Sequence, residues 1–106
     1  MSGLVDITEA QRKQILALLN KHLPNTAAWV YGSRAKGKAR PKSDLDMVVF
    51  AGHAKSRRVY DLKEAFEESN LPFRVDVFMW DSMPERFRER VLSDHIVLVE
   101  GDAAIS

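Results

Sequence analysis

The sequence predicts an α/β (α+β) fold in which helices pack on one small mixed sheet. Segments with apolar residues at helical spacing alternate with short strand-like segments, and residues 45–50 form a nearly continuous apolar run of strand length. The resulting order, α-β-(α)-β-α-β-α-β, is typical of helices layered on a sheet. The chain has 106 residues, and we expect a single domain over 1–106 with loose ends at about 1–6 and 101–106.

The first helix is predicted by its N-terminal cap. Thr8 and Gln11 have the spacing of a capping box, and the apolar residues that follow share one helical face: Ile15, Leu18, Leu19 and Leu23. The helix should end near Pro24. Residues 27–31 are predicted to form a strand, 32–42 a turn and loop, and 45–50 a buried strand.

The second half of the chain continues this alternation. A helix is predicted over 56–69, and strands are predicted over 73–79 and 96–99. The apolar face of that helix consists of Val59, Leu62 and Phe66.

A further helix is predicted between these two strands. Ser82 and Glu85 suggest a second capping box, with Pro84 tolerated in the first turn. Phe87 and Val91 are expected to face the core from this helix.

Composition narrows the class of protein. The formal net charge is +1, so no global charge favours nucleic acid or membrane, and the absence of cysteine excludes disulfides and thiolate chemistry. No apolar run approaches the roughly 20 residues that span a bilayer. The first nine residues have no signal-peptide pattern. We therefore expect a soluble cytoplasmic protein.

Acidic residues at the predicted strands suggest a metal site. Asp44 and Asp46 should point to one face of their strand, where a hard cation such as Mg²⁺ would offset their repulsion. Asp76 lies among strand-forming residues, and three carboxylates would converge if the two strands are neighbours. Such a group can hold two metal ions. The alternatives are that the first two are ordinary turn and strand-start residues, and that Asp76 pairs with Arg74.

A Gly-Ser turn precedes this acidic segment. Glycine lets the backbone approach a phosphate closely, and the amides of the turn and the Ser33 hydroxyl can bind anions, although Gly32-Ser33 alone also fits an ordinary turn. Five basic residues follow in nine positions: Arg34, Lys36, Lys38, Arg40 and Lys42. Arg34 and Lys36 are the candidates for direct phosphate contact. A solvated loop is the alternative for the rest.

These features together resemble the signature of the polymerase-β-like nucleotidyltransferases, and in particular the minimal nucleotidyltransferases (MNT). The signature is Gly-Ser, about ten residues, Asp-x-Asp among apolar residues, and a third acid on a later strand. The resemblance implies that Gly32 and Ser33 hold triphosphate oxygens. It also implies that Asp44 and Asp46 bind both Mg²⁺ ions, with Mn²⁺ as a possible substitute, and that Asp76 binds the catalytic metal and helps to activate the acceptor hydroxyl.

The same resemblance implies a function and a partner. MNT proteins are often paired with a small helical HEPN protein, and some act as antitoxins that transfer AMP from ATP to a tyrosine of that partner. A homo-oligomer or hetero-oligomer is compatible with this interpretation. Two alternatives remain: a nucleotide-binding module that neutralises a HEPN partner without turnover, and an aminoglycoside-type nucleotidyltransferase that modifies a small molecule.

Overall fold

The computed structural model describes residues 7–32 and 43–101. In the described ranges the helices are α1 (Glu9–His22), α2 (Ser56–Glu67) and α3 (Glu85–Ser93), and the strands are β1 (Ala28–Tyr31), β2 (Leu45–Val49), β3 (Val75–Met79) and β4 (His95–Val99). The mixture of helices with a mixed sheet confirms the predicted fold class. None of the helices in these ranges has the length and apolar character needed to cross a membrane.

The four strands form one sheet in the order β3-β2-β1-β4. Strand β1 is antiparallel to both of its neighbours, whereas β2 and β3 are parallel. A parallel pair needs a crossover connection, and α2 supplies it. This crossover brings the Asp-x-Asp strand and the strand of Asp76 side by side.

Helix α1 begins as its sequence predicts. The Gln11 amide donates to Thr8 Oγ1 at 3.1 Å, and the Thr8 amide donates to Gln11 Oε1 at 2.9 Å. The predicted capping box of this helix is therefore confirmed. Ile15 and Leu19 are buried, and Leu23 caps the C-terminal end.

The second predicted capping box is wrong. Ser82 lies in a short 3-10 turn, Trp80–Ser82, and α3 begins after Pro84, whose ring offers no hydrogen-bonding cap. The expectation that Phe87 faces the core is also wrong, because this side chain is 46% exposed. Val91 is buried as predicted. The apolar stripe of α3 is therefore buried at Val91 and exposed at Phe87.

The two faces of the sheet carry separate apolar clusters. The larger cluster joins α1 and α2 to the face that bears Leu45, Met47 and Val49. The smaller cluster lies on the other face and consists of Trp29, Val48, Trp80, Met83 and Val91. Helix α3 is docked there through Val91 and through Arg88, whose Nε donates to the Trp80 carbonyl at 3.0 Å.

Candidate active site

Three polar side chains lie in one row across the sheet. Tyr31 of β1 pairs with Asp46 of β2, and Asp46 pairs in register with Asp76 of β3. Because residues paired across neighbouring strands point to the same face, the two carboxylates lie side by side on the α3 face. The predicted neighbourhood of these two acids is therefore present in the structure.

The backbone of Gly32 closes one side of this row. Its φ is +82°, in the left-handed region that favours glycine, and a Cβ added here would lie 2.8 Å from Asp46 Oδ2. Glycine is therefore required at this position for two reasons, the backbone conformation and the close approach to the carboxylate. The carboxylate of Asp46 is held against the turn at the end of β1.

The electrostatics of the row are unfavourable for negative charge. Burial raises the pKa of Asp46, and the charges of Asp76 and Asp44 raise it further. Burial also raises the pKa of Tyr31 to about 12, with further contributions from Asp46 and Asp76. A cation placed among these acids would offset their mutual repulsion and favour their ionised forms.

Asp44 takes a different position from the other two acids. It is exposed and precedes the first residue of β2, where the Leu45 amide donates to the Arg74 carbonyl. The described ranges contain no group of three Asp, Glu, His or Cys side chains spaced to hold a metal ion. Asp46 and Asp76 fit a divalent cation as a pair of hard oxygen donors, and Asp44 lies close enough to influence the pKa of Asp46.

Asp76 also makes the ion pair with Arg74 that the sequence leaves open as an alternative. Arg74 Nε lies 2.9 Å from Asp76 Oδ1, and the side chains are 74% and 25% exposed respectively. An ion pair with so exposed a partner is weak, since solvent screens it and the arginine chain loses entropy on ordering. The pair therefore does not prevent Asp76 from binding another ligand.

Two hollows open beside Tyr31 and Asp46, and Phe87 is part of the lining of each. The larger, about 380 Å³, has apolar walls formed by Phe78, Met79, Met83 and Pro84, with Ser82 at its edge. The smaller, about 250 Å³, borders Gly32 and contains Arg90, Val91 and Asp94.

Several predicted site residues lie outside the described residues. Ser33, Arg34 and Lys36 belong to the segment 33–42, so their predicted roles stay predictions. Conversely, sequence reasoning did not single out Tyr31 or Arg90. The position of Tyr31 directly before the Gly-Ser turn is a signal that could have identified it, whereas no local pattern marks Arg90.

The comparisons with known proteins identify the family of the chain. The family model for polymerase β nucleotidyltransferases matches residues 13–104. The probable protein adenylyltransferase MntA of Haemophilus influenzae is 35% identical over 102 residues, which cover 95% of this chain and 90% of that protein.

Solved structures show the same architecture. One assigned to the minimal nucleotidyltransferases is 36% identical, with a TM-score of 0.64 over 82% of this chain and 88% of the other. A structure of a tri-AMPylated Shewanella oneidensis HEPN toxin in complex with an MNT antitoxin matches with a TM-score of 0.58 at 18% identity, over 88% of this chain and 72% of the matched chain. At that identity the likeness is one of fold alone.

Proposed function

The chain belongs to the polymerase β nucleotidyltransferase family, and we propose that it transfers AMP from ATP to a tyrosine hydroxyl of a HEPN-type partner and so acts as an antitoxin. The predicted family is confirmed, and with it the class of enzyme, a nucleotidyltransferase. ATP as the donor, the tyrosine acceptor and the partner are the proposed parts.

The observation that carries the proposal is the placement of Asp46 and Asp76 side by side, against the backbone of Gly32. Nucleotidyltransferases of this kind generally use divalent metals. We propose two Mg²⁺ ions, replaceable by Mn²⁺, held by Asp44, Asp46 and Asp76. When bound, the metal offsets the negative charge that develops on the phosphate oxygens.

The protein's own residues position the reactants. The acceptor oxygen attacks the α-phosphorus of ATP, the bond from this phosphorus to the β-phosphate oxygen breaks, and pyrophosphate leaves with the bonding electrons. The phenolic proton passes to the carboxylate of Asp76. Gly32 and Ser33 hold triphosphate oxygens, with Arg34 and Lys36 as further contacts. Little covalent chemistry is asked of the protein, so positioning is its main contribution.

The relatives support the choice of acceptor. The Haemophilus influenzae protein is named as a protein adenylyltransferase, and the Shewanella oneidensis complex joins an MNT antitoxin to a HEPN toxin that carries AMP groups. A protein acceptor brings its own binding surface. This suits a chain whose described site consists of a sheet face and one helix.

Intact mass measurement tests this proposal. The chain is incubated with labelled ATP, Mg²⁺ and the product of the neighbouring gene, and we expect the partner to gain one or more AMP groups on tyrosine. Asp46→Asn should lower the rate of this gain by roughly a hundredfold or more, whereas Asp61→Asn, a change at a half-exposed acid of α2 that pairs with Arg57, should retain it. An unmodified partner after incubation with the wild-type chain would contradict the transfer.

The second candidate function is that of a module that neutralises its partner by binding alone, without turnover. In that case Asp46→Asn would still neutralise the partner fully, and the wild type would add no mass. A small-molecule acceptor is a further possibility, and incubation with aminoglycosides in place of the partner tests it.

A further inference from the structure

Helix α3 presents an aromatic side chain to the active-site row. Phe87 is 46% exposed and lines both hollows beside Tyr31 and Asp46. Val91, one turn further along the same stripe, is buried in the smaller apolar cluster. The helix therefore contacts the smaller cluster through Val91, whereas Phe87 stays half exposed beside the two hollows.

The two hollows differ in chemistry. The larger has mainly apolar walls, and the aromatic rings of Phe87 and Phe78 line it. The smaller borders Gly32 and contains the guanidinium-bearing Arg90. An aromatic surface and a cation therefore lie in two hollows that share Phe87 and Asp46, with the carboxylate of Asp94 beside the cation.

We infer that Phe87 stacks on the base of the bound nucleotide and that Arg90 contacts its phosphate chain beside Gly32. A nucleotide joins a flat ring to a polyanion, and the two hollows present a group suited to each part. Asp94 lies on the Arg90 side, where a carboxylate can accept hydrogen bonds from ribose hydroxyls. The inference rests on the proposed function in that it takes the ligand to be a nucleotide.

The acceptor tyrosine is the competing occupant. Its ring would also fill the apolar hollow, but a tyrosine carries no anion for Arg90 to contact. The volumes, about 380 and 250 Å³, together fall within the range of small-molecule sites, roughly 300–1,000 Å³. One nucleotide accounts for both hollows, whereas the acceptor accounts for only one.

The test compares two ligands by titration calorimetry in the presence of Mg²⁺. One is the α,β-methylene analogue of ATP, which resists transfer, and the other is inorganic tripolyphosphate, which has no base. Phe87→Ala should raise the Kd of the analogue roughly tenfold, the size of a lost stacking contact, and should change that of tripolyphosphate by less than about twofold. Phe87→Trp should restore analogue binding.

Two further variants separate the roles. Arg90→Gln should weaken both ligands by roughly fivefold or more, since a charge-assisted contact to phosphate is lost in each. Leu92→Ala is the matched control, because Leu92 is also 46% exposed on α3 but lines neither hollow. Its Kd values should equal those of the wild type.

The outcomes distinguish this inference from the proposed function. An unchanged Kd of the analogue in Phe87→Ala overturns the inference and leaves the transfer reaction standing. If the only change in that variant is a higher KM for the partner, the hollow belongs to the acceptor and the inference is again overturned. If Phe87→Ala weakens the analogue but the wild type modifies no partner, the base site stands and the transfer proposal fails. A wild-type chain that binds neither ligand overturns both.

Discussion

The face of the sheet under α1 and α2 is closed by apolar side chains, whereas the face under α3 is closed over only part of its area. Strand β2 belongs to both: Leu45, Met47 and Val49 are fully buried on the first face, and Asp46 opens to the second. Because alternate residues of a strand face opposite sides of the sheet, β2 contributes to the apolar core on one face and to the candidate active site on the other. Changes on the closed face should affect the free energy of unfolding, and changes on the open face should affect chemistry.

The largest expected effect is on the closed face. Leu62→Ala removes a fully buried side chain of the larger cluster and should lower the free energy of unfolding by about 2–5 kcal/mol. Urea titration measures this loss. Tyr60→Ala, at an exposed neighbour on α2, should stay within about 0.5 kcal/mol of the wild type. Equal losses in both variants would show that the cluster does not carry the stability assigned to it.

The next effect is on the open face. Asp46→Asn should lower the transfer rate by roughly a hundredfold or more, as the loss of one preorganised stabiliser of the transition state does. Its stability without metal should not fall. The pKa of Asp46 is higher in the folded than in the unfolded chain, so its ionisation opposes folding as pH rises above the unfolded-state pKa. Asparagine does not ionise and removes this cost. Asp44→Asn should reduce transfer likewise, and full activity in either variant would remove the metal hypothesis.

The close approach of Gly32 to the carboxylate of Asp46 can be tested by substitution of the glycine. Gly32→Ala should cost about 1–2 kcal/mol of stability from the left-handed backbone, and should lower transfer roughly tenfold as the new Cβ displaces Asp46. Gly52→Ala is the matched control, because a Cβ there meets nothing within 4 Å and the φ is −72°. Thermal unfolding and single-turnover rates measure the two effects. Identical behaviour of both variants would contradict the close approach of Gly32 to the carboxylate.

The smallest effect concerns the pKa of Tyr31, which the neighbouring charges of Asp46 and Asp76 help to raise. In a Tyr60→Phe background, Tyr31 is the remaining tyrosine, and it should stay mostly protonated at about pH 10, where an ordinary phenol is half ionised. Ultraviolet absorbance of tyrosinate follows this titration. Adding Asp46→Asn should lower the pKa of Tyr31, because one of the negative charges that raise it is gone. No change on that substitution would mean that the charge of Asp46 does not contribute to the raised pKa of Tyr31.

Much of this protein follows from local sequence. The capping box of Thr8 and Gln11, the buried run of β2 and the apolar face of α2 are each encoded within about ten residues, and each appears in the structure as predicted. Local periodicity also determines that alternate residues of β2 face opposite sides. The family signature covers a longer stretch, because its spacing relates Gly32 to Asp44 and Asp46 at the start of β2.

Tertiary structure decided what depends on pairing between distant segments. No local pattern specifies that β3 lies parallel to β2 with Asp76 opposite Asp46, since that register is set by the α2 crossover and by packing on the closed face. The position of Phe87 is of the same kind. Helical spacing places Phe87 on the same stripe as Val91. Only the packing of α3 on the sheet determines that Val91 is buried and that Phe87 is half exposed beside Asp46. Periodicity reports which face of an element is apolar, whereas burial depends on whether another element covers that face.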